Sequence, residues 1–360
     1  MQKHAAGVSV LLCTFNGAAR LPETLVCLAN QHPLPSAAWE IILVDNASTD
    51  ATAEIARQVW ADLGSPAPLW VLQEPRSGKQ FALELAVAQA RYAYTCIVDD
   101  DNRIAADYLV TGYELLEGNT SIGILGGPNT ATFEGEAPVW FGDFQQCYAV
   151  GPQIDYVSGQ FRPLLDGNVG RNVLWGAGMF VRTAVWQALA AVGFRSLLSG
   201  RQGENNLTAG EDDELCYAAL LLGFEIWYSS RLHLRHHMTA GRLTESYRDR
   251  LFYASAHSAT RLNAYRNALW GQQEAAIGTN LLKDVGYTTL GVIKDVLSPA
   301  FVRANLDGHY IVRMKQWHAL TVVKDVLVNF KQVKGYYEQV RRLQGQLQGS
   351  MVPPQQTAYV

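Results

Sequence analysis

Val8–Cys13 is an unbroken apolar run, the pattern of a strand buried on both faces. Leu21, Leu25 and Leu28 then recur at helical spacing within residues 18–30. The same alternation of short apolar runs and helical periods continues. Strands are expected at 40–44, 69–72 and 94–98, with helices at 50–60 and 79–91. Such an order predicts an α/β fold, a mainly parallel sheet with helices on both faces. In that architecture ligands sit at the carboxyl ends of the strands. The polar ends Thr14-Phe15-Asn16, Asp45-Asn46 and Asp99-Asp100-Asp101 should therefore share one crevice.

Periodicity fades from 127 to 172, which reads as long loops over the crevice. It returns in a strand at Val173–Val181, a helix near 183–192, a helix at Glu211–Leu222 and a short strand at Glu225–Tyr228. Beyond about residue 250 the spacing is mostly helical, and Pro353-Pro354 opens a frayed tail.

Composition narrows the class. With 360 residues, 48% hydrophobic and 17% charged, the chain has the make-up of a globular protein with a sizeable core. No charge-free apolar run is long enough for a membrane-spanning helix, and the N-terminal apolar run is too short for a signal peptide. Five scattered cysteines without a CxxC pair argue against disulfides or a thiolate metal site and fit a reducing cytosol. Net charge is −4, yet residues 251–360 carry +6 and residues 1–250 carry −10. Nucleic acid is a poor partner, because the acidic region also holds the candidate chemistry.

Three adjacent carboxylates at a strand end repel one another unless a cation neutralises them. In an extended segment Asp99 and Asp101 face the same way and can share one hard ion, Mg²⁺ or Mn²⁺. Loss of Asp101 should then relieve repulsion in the empty chain. A solvated acidic turn is the alternative. Asp45 at its strand tip can accept the imide N–H of a uracil or thymine ring, whereas Ser48, Thr49 and Asp50 serve as helix caps. Glu211-Asp212-Asp213-Glu214 exceeds what a helix dipole needs, and a carboxylate there can take a proton from an acceptor hydroxyl. His236-His237, with Arg231 and Arg235 just before them, can complete a metal site and balance diphosphate charge. Trp175 beside Gly176-Ala177-Gly178 offers an apolar wall for a sugar ring or is a core residue.

Taken together, Ser9–Asn16, Val44–Asp50, Val98–Asn102 and Gly210–Leu215, followed by Leu234-Arg235-His236 and Arg242-Leu243-Thr244, resemble the family 2 glycosyltransferases, inverting enzymes with the GT-A fold. The resemblance covers residues 7–250. It implies a catalytic domain over 1–250, with nucleotide-sugar binding in 1–126 and the acceptor side in 127–250; residues 251–360, a helical C-terminal region, lie outside the shared pattern. By similarity Asp212 is the base, with Glu211 in support and Asp213 competing for the role. Asp101, Asp99 and His236 hold the divalent cation. Thr14, Asn16, Asp45, Lys79, Asp99, Asp100 and Trp175 face the substrate. Arg76-Ser77-Gly78-Lys79 departs from the usual Asn-x-Gly, and Arg76 or Lys79 can contact the diphosphate.

The implied donor is a nucleotide-diphosphate sugar, UDP or dTDP ahead of GDP. The implied acceptor is a glycan or lipid-linked hydroxyl in cell-surface glycan synthesis. A non-catalytic sugar-binding module and a sugar-nucleotidyltransferase are the rival readings. Leu281, Leu282, Val285 and Val292, and Val322, Val323 and Val326, form apolar stripes among lysines and arginines. They suit either an anionic membrane surface, at the cytoplasmic face of the cell membrane, or packing on the catalytic domain or in a homodimer.

Overall fold

A computed structural model describes residues 4–158, 160–198, 209–271, 277–308 and 310–350. The first half runs β1 (Ala5–Thr14), α1 (Leu21–Ala29), β2 (Ala38–Asp45), α2 (Thr52–Asp62), β3 (Leu69–Gln73), α3 (Lys79–Gln89), β4 (Tyr92–Ile97), β5 (Asn102–Ile104), α4 (Tyr108–Gly118), β6 (Ile122–Gly126) and β7 (Asn129–Phe133). A short helix α5 (Phe141–Phe144) and three two-residue strands follow: β8 (Ile154–Asp155), β9 (Arg162–Pro163) and β10 (Gly167–Asn168). The chain continues with β11 (Phe180–Arg182), α6 (Thr183–Ala191), α7 (Glu211–Leu221), β12 (Glu225–Tyr228) and β13 (Leu234–Met238). Five helices end it: α8 (Glu245–Trp270), α9 (Ile277–Val296), α10 (Pro299–Leu306), α11 (Tyr310–Val328) and α12 (Phe330–Ser350).

The main sheet has eight strands in the order β10-β12-β6-β11-β4-β1-β2-β3. β4, β1, β2 and β3 are parallel, as are β6 and β12, whereas β11 is antiparallel to both its neighbours. Alternate residues of one strand enter opposite cores. Val8, Val10 and Leu12 face α1, α2 and α4, while Leu11, Ile42 and Val44 face the layer of α3, α6 and α7. Burial on both faces is why β1 and β2 read as continuous apolar runs. The expected α/β architecture with a helical C-terminal region is the one observed.

A second sheet, β5-β13-β7, sits at the strand ends. Its register sets His236 opposite Asn102 and next to the triple-aspartate turn. β5, β6, β7 and β13 give order to stretches for which the sequence pattern assigned nothing or loops. The expected strand at 173–181 shrinks to Phe180–Arg182, because Gly178 leaves the extended region with φ 76°. The freed segment 173–179 turns into the crevice.

The helical region does not stand apart from the rest. α8 runs through the boundary placed at residue 250 and buries Leu262, Tyr265 and Ala268 in the same core as α7. Buried Arg248 stacks over Trp140, Phe144 and Tyr310 at 5.0, 5.1 and 4.8 Å and pairs with Asp249 at 2.8 Å. The expected apolar stripes mostly face inward. Leu281, Val285 and Val326 pack into the shared core, and Val292 is buried, whereas Leu282 is exposed.

Gly178 is a local weak point. A Cβ there would lie 2.2 Å from Tyr108 Oη and 2.9 Å from a Leu234 methyl. Tyr108 Oη donates to the Gly178 carbonyl at 2.8 Å. Gly178→Ala combines left-handed strain with overpacking and should cost roughly 2–4 kcal/mol. Equilibrium denaturation checks this, and a loss below about 0.5 kcal/mol would contradict it.

Candidate active site

The carboxyl ends of β1 and β4 open into one cleft of about 1710 Å³. Thr14, Asn16, Lys79, Asp99–Asp101, Trp175, Glu211, Asp212, Asp213 and His236 line it, whereas Asp45, Arg76 and His237 do not. Asp45 is buried, and its Oδ1 accepts from the Ser48 amide at 3.1 Å. The neighbouring Asn46 reaches the cleft and ties the loop after β3, donating to the Arg76 carbonyl at 2.7 Å and accepting from Gly78 N at 2.8 Å. Asn16 adopts φ 48°, a conformation asparagine tolerates. Its Oδ1 accepts from Thr49 N at 2.8 Å, and its own amide donates to Ser48 Oγ at 2.9 Å. The polar cluster after β2 is thus largely engaged in fastening the loop after β1.

Asp99–Asp101 forms a turn, closed by Asn102 N donating to the Asp99 carbonyl at 3.0 Å. It is not extended, so the alternation of a strand does not set Asp99 and Asp101 on one side. Each carboxylate has its own protein cation. Lys79 Nζ lies 2.6 Å from Asp99 Oδ1. Arg20 grips Asp100 with two bonds of 3.1 and 2.8 Å, and Thr14 Oγ1 adds a third of 2.6 Å. Arg242 lies 2.8 Å from Asp101 Oδ2. Asp100 and Thr14 therefore join β1, α1 and the turn. Arg76 pairs with Glu74 at 2.7 Å and stacks on Phe81, which leaves Lys79 as the cation of that loop facing the cleft.

Burial works against the charge of Lys79, but Asp99 and Glu211 outweigh it and hold the amine above its usual range. Burial also opposes Arg242, and Asp101 more than compensates. This reverses the expected effect of losing Asp101. The side chain of Arg242 is 23% exposed and has its ionic partner in Asp101. Removing the carboxylate strands a mostly buried guanidinium, and Asp101→Ala should cost roughly 1–3 kcal/mol.

The acidic run at the start of α7 divides by direction. Asp212 Oδ2 accepts from Gly176 N at 2.8 Å, and Oδ1 from Asp213 N at 3.0 Å. Segment 173–179 thus aims a backbone donor at one carboxylate, and Trp175 on the same segment lines the cleft. Burial, then the charges of Asp212 and Glu211, push Asp213 well up against the pull of Arg266, which favours its protonated form. Glu214 is engaged in packing. It is buried and accepts from Leu197 N and Tyr265 Oη, both at 2.8 Å, fixing α7 to α8.

Among the described residues no three acidic, histidine or cysteine side chains gather around a common point as a metal cage. Asp101 Oδ1 and His236 Nε2 do converge at 3.3 Å. One carboxylate and one imidazole suit Mg²⁺ or Mn²⁺ only if a phosphate-bearing substrate and water supply the remaining ligands. The pair fits such a cation. His237 lies outside this pair, with Nδ1 3.2 Å from Thr132 Oγ1. Sequence reasoning missed Arg20, which belongs to the loop before α1 and meets Asp100 only through the fold. It noted Arg242 as part of a motif without giving it a role.

Residues 9–146 match the family model for glycosyl transferase family 2. Over 120 residues the chain is 28% identical to glycosyltransferase AglE of Haloferax volcanii, a match spanning 33% of this chain and 38% of that protein. Two solved structures align over 96% of this chain. TarS 1-349 of S. aureus in complex with UDP matches over 93% of its length at 14% identity and a TM-score of 0.44. The mannosyltransferase PcManGT of Pyrobaculum calidifontis, in complex with GDP-Man and Mn²⁺, matches over 86% at 15% identity and a TM-score of 0.49. The matched residues 9–146 hold most of β1, all of β2 to β4 and the whole Asp99–Asp101 turn, so the part of the chain that resembles glycosyl transferase family 2 is the part that builds this side of the cleft.

Proposed function

We propose that this chain is an inverting, divalent-cation-dependent glycosyltransferase. It moves a sugar from a nucleotide-diphosphate donor to a hydroxyl of a glycan or lipid-linked acceptor in cell-surface glycan synthesis. The observation that carries the reading is one cleft holding the charge-paired turn Asp99–Asp101 and, across it, Asp212 held by the Gly176 amide. In the transfer, Asp212 takes the acceptor hydroxyl proton as that oxygen bonds to the anomeric carbon. The bond from that carbon to the phosphate oxygen breaks on the opposite face, and its electron pair leaves with the diphosphate. A cation at Asp101 and His236, when bound, offsets charge on the departing diphosphate. Lys79 and Arg242 add fixed positive charge nearby. Asp212 is preferred to Asp213 as base because its carboxylate is the one turned to the segment that carries Trp175, with Gly176 N 2.8 Å from its Oδ2. Asp45 lies outside the cleft wall, so a preference for UDP or dTDP over GDP draws no support from it.

The exposed apolar side of the helical region suits an anionic lipid surface. Leu282, Leu290 and Ile293 recur on one side of α9 and are 55%, 65% and 50% exposed. Lys283 and Lys294, three turns apart, flank them. No described helix is long and apolar enough to cross a membrane. A peripheral contact at the cytoplasmic face would bring the cleft near a lipid-linked acceptor. Flotation with phosphatidylglycerol vesicles at low salt should recover the chain, and Leu290→Glu with Ile293→Glu should release most of it. Equal flotation of parent and variant would contradict the contact.

The enzymatic reading is tested with UDP-, dTDP- and GDP-sugars and Mn²⁺. One of them should raise the thermal midpoint and be slowly hydrolysed to the nucleoside diphosphate, which separates an enzyme from a binding module. Asp212→Asn should retain the donor-induced thermal shift and lose roughly 10²–10⁴ in turnover. Asp213→Asn should keep turnover within about tenfold of the parent. A dead Asp213→Asn beside an active Asp212→Asn would assign the base to Asp213.

A further inference from the structure

Of the three cations that serve the aspartate turn, Arg242 differs in what it touches. Lys79 and Arg20 each address one carboxylate. Arg242 Nη1 lies 2.8 Å from Asp101 Oδ2 and 3.2 Å from His236 Nε2, the two groups that fit a divalent cation. A guanidinium carries donors only, so it presents positive charge to the same two side chains that a metal would use, sharing His236 Nε2 and taking the second oxygen of the Asp101 carboxylate. A metal and this guanidinium would repel each other there.

Arg242 belongs to the short turn Ala240–Leu243 between β13 and α8. Its backbone carbonyl accepts from Tyr148 Oη at 3.1 Å, so the turn is anchored while the long side chain retains rotatable bonds. A diphosphate is the natural second partner of such a group, since guanidinium pairs with phosphate in a two-pronged geometry.

Building on the proposed donor and cation chemistry, we propose that Arg242 is a resident counter-ion. It occupies the cation position between Asp101 and His236 in the donor-free protein and passes to the diphosphate when donor and cation enter together. Cation binding without nucleotide is then suppressed, and nucleotide and cation bind with positive coupling. The device keeps the buried Asp101 charge compensated at every stage of the cycle.

The test measures Mn²⁺ binding by the electron paramagnetic resonance signal of free Mn²⁺, with and without UDP, on the full chain. Arg242→Gln should bind Mn²⁺ without nucleotide at least ~10-fold more tightly than the parent, and UDP should then tighten Mn²⁺ by a factor at least ~10-fold smaller. Unchanged or weaker nucleotide-free Mn²⁺ binding in Arg242→Gln would overturn the proposal, reducing Arg242 to a structural partner of Asp101. Arg242→Lys, a milder change to the fold, keeps one charge but not the bridge. It should bind nucleotide-free Mn²⁺ more tightly than the parent and less tightly than Arg242→Gln, and a parent-like value would also count against the proposal. The nucleotide-free arm reads Arg242 alone. Failure of UDP, dTDP and GDP alike to bind would instead contradict the donor reading.

Discussion

The pairing of three adjacent carboxylates with three separate cations organises the site. Asp99, Asp100 and Asp101 end β4 in a turn that carries three negative charges in a small, largely buried space. Lys79 comes from the start of α3, Arg20 from the loop before α1, and Arg242 from the turn before α8. Each ion pair thus ties a different element to the same strand end. Buried pairs of this kind need a close partner to offset desolvation. The geometry at the crevice and the neutralisation of its charge are one arrangement.

Two further constraints depend on it. The small sheet β5-β13-β7 has to continue directly from the turn, and its register sets His236 beside Asn102. The segment 173–179 has to leave the main sheet, so that Gly176 can present its amide to Asp212 and Gly178 its carbonyl to Tyr108. α7 is then held to α8 by Glu214 on Tyr265, and Glu211, Asp212 and Asp213 line the cleft beside it. Four consecutive acids do two jobs because a helix turns each of them in a different direction.

Much of this was legible in the sequence where burial is simple. β1, β2, β4 and α1 to α3 are evident because these strands are buried on both faces and each helix on one, and the half-buried edge strand β3 still shows as the apolar run Leu69–Leu72. α4 and β6 were not, because their buried positions include Thr111, Gly112 and Gly123, which carry no apolar signal. Gly112 lies against Phe180, and Gly123 against Phe224, contacts that only tertiary structure creates. In the site, the acids were visible because they cluster along the chain. Their cations were not, since Arg20 lies 80 residues from Asp100. A run of carboxylates calls for positive charge nearby, and the fold brings three side-chain cations to it. The apolar stripes of the last helices were visible as periods, but periodicity does not say which side faces the shared core.

The account rests on the turn and Asp212 facing one bound donor. A crystal structure with UDP and Mn²⁺, using the anomalous signal of the metal, measures this directly. The account predicts a single manganese peak in contact with the Asp101 carboxylate, His236 Nε2 and the diphosphate, with Arg242 moved from Asp101 onto a phosphate oxygen. A nucleotide bound away from the Asp99–Asp101 turn, or a metal peak that touches neither Asp101 nor His236, would contradict it.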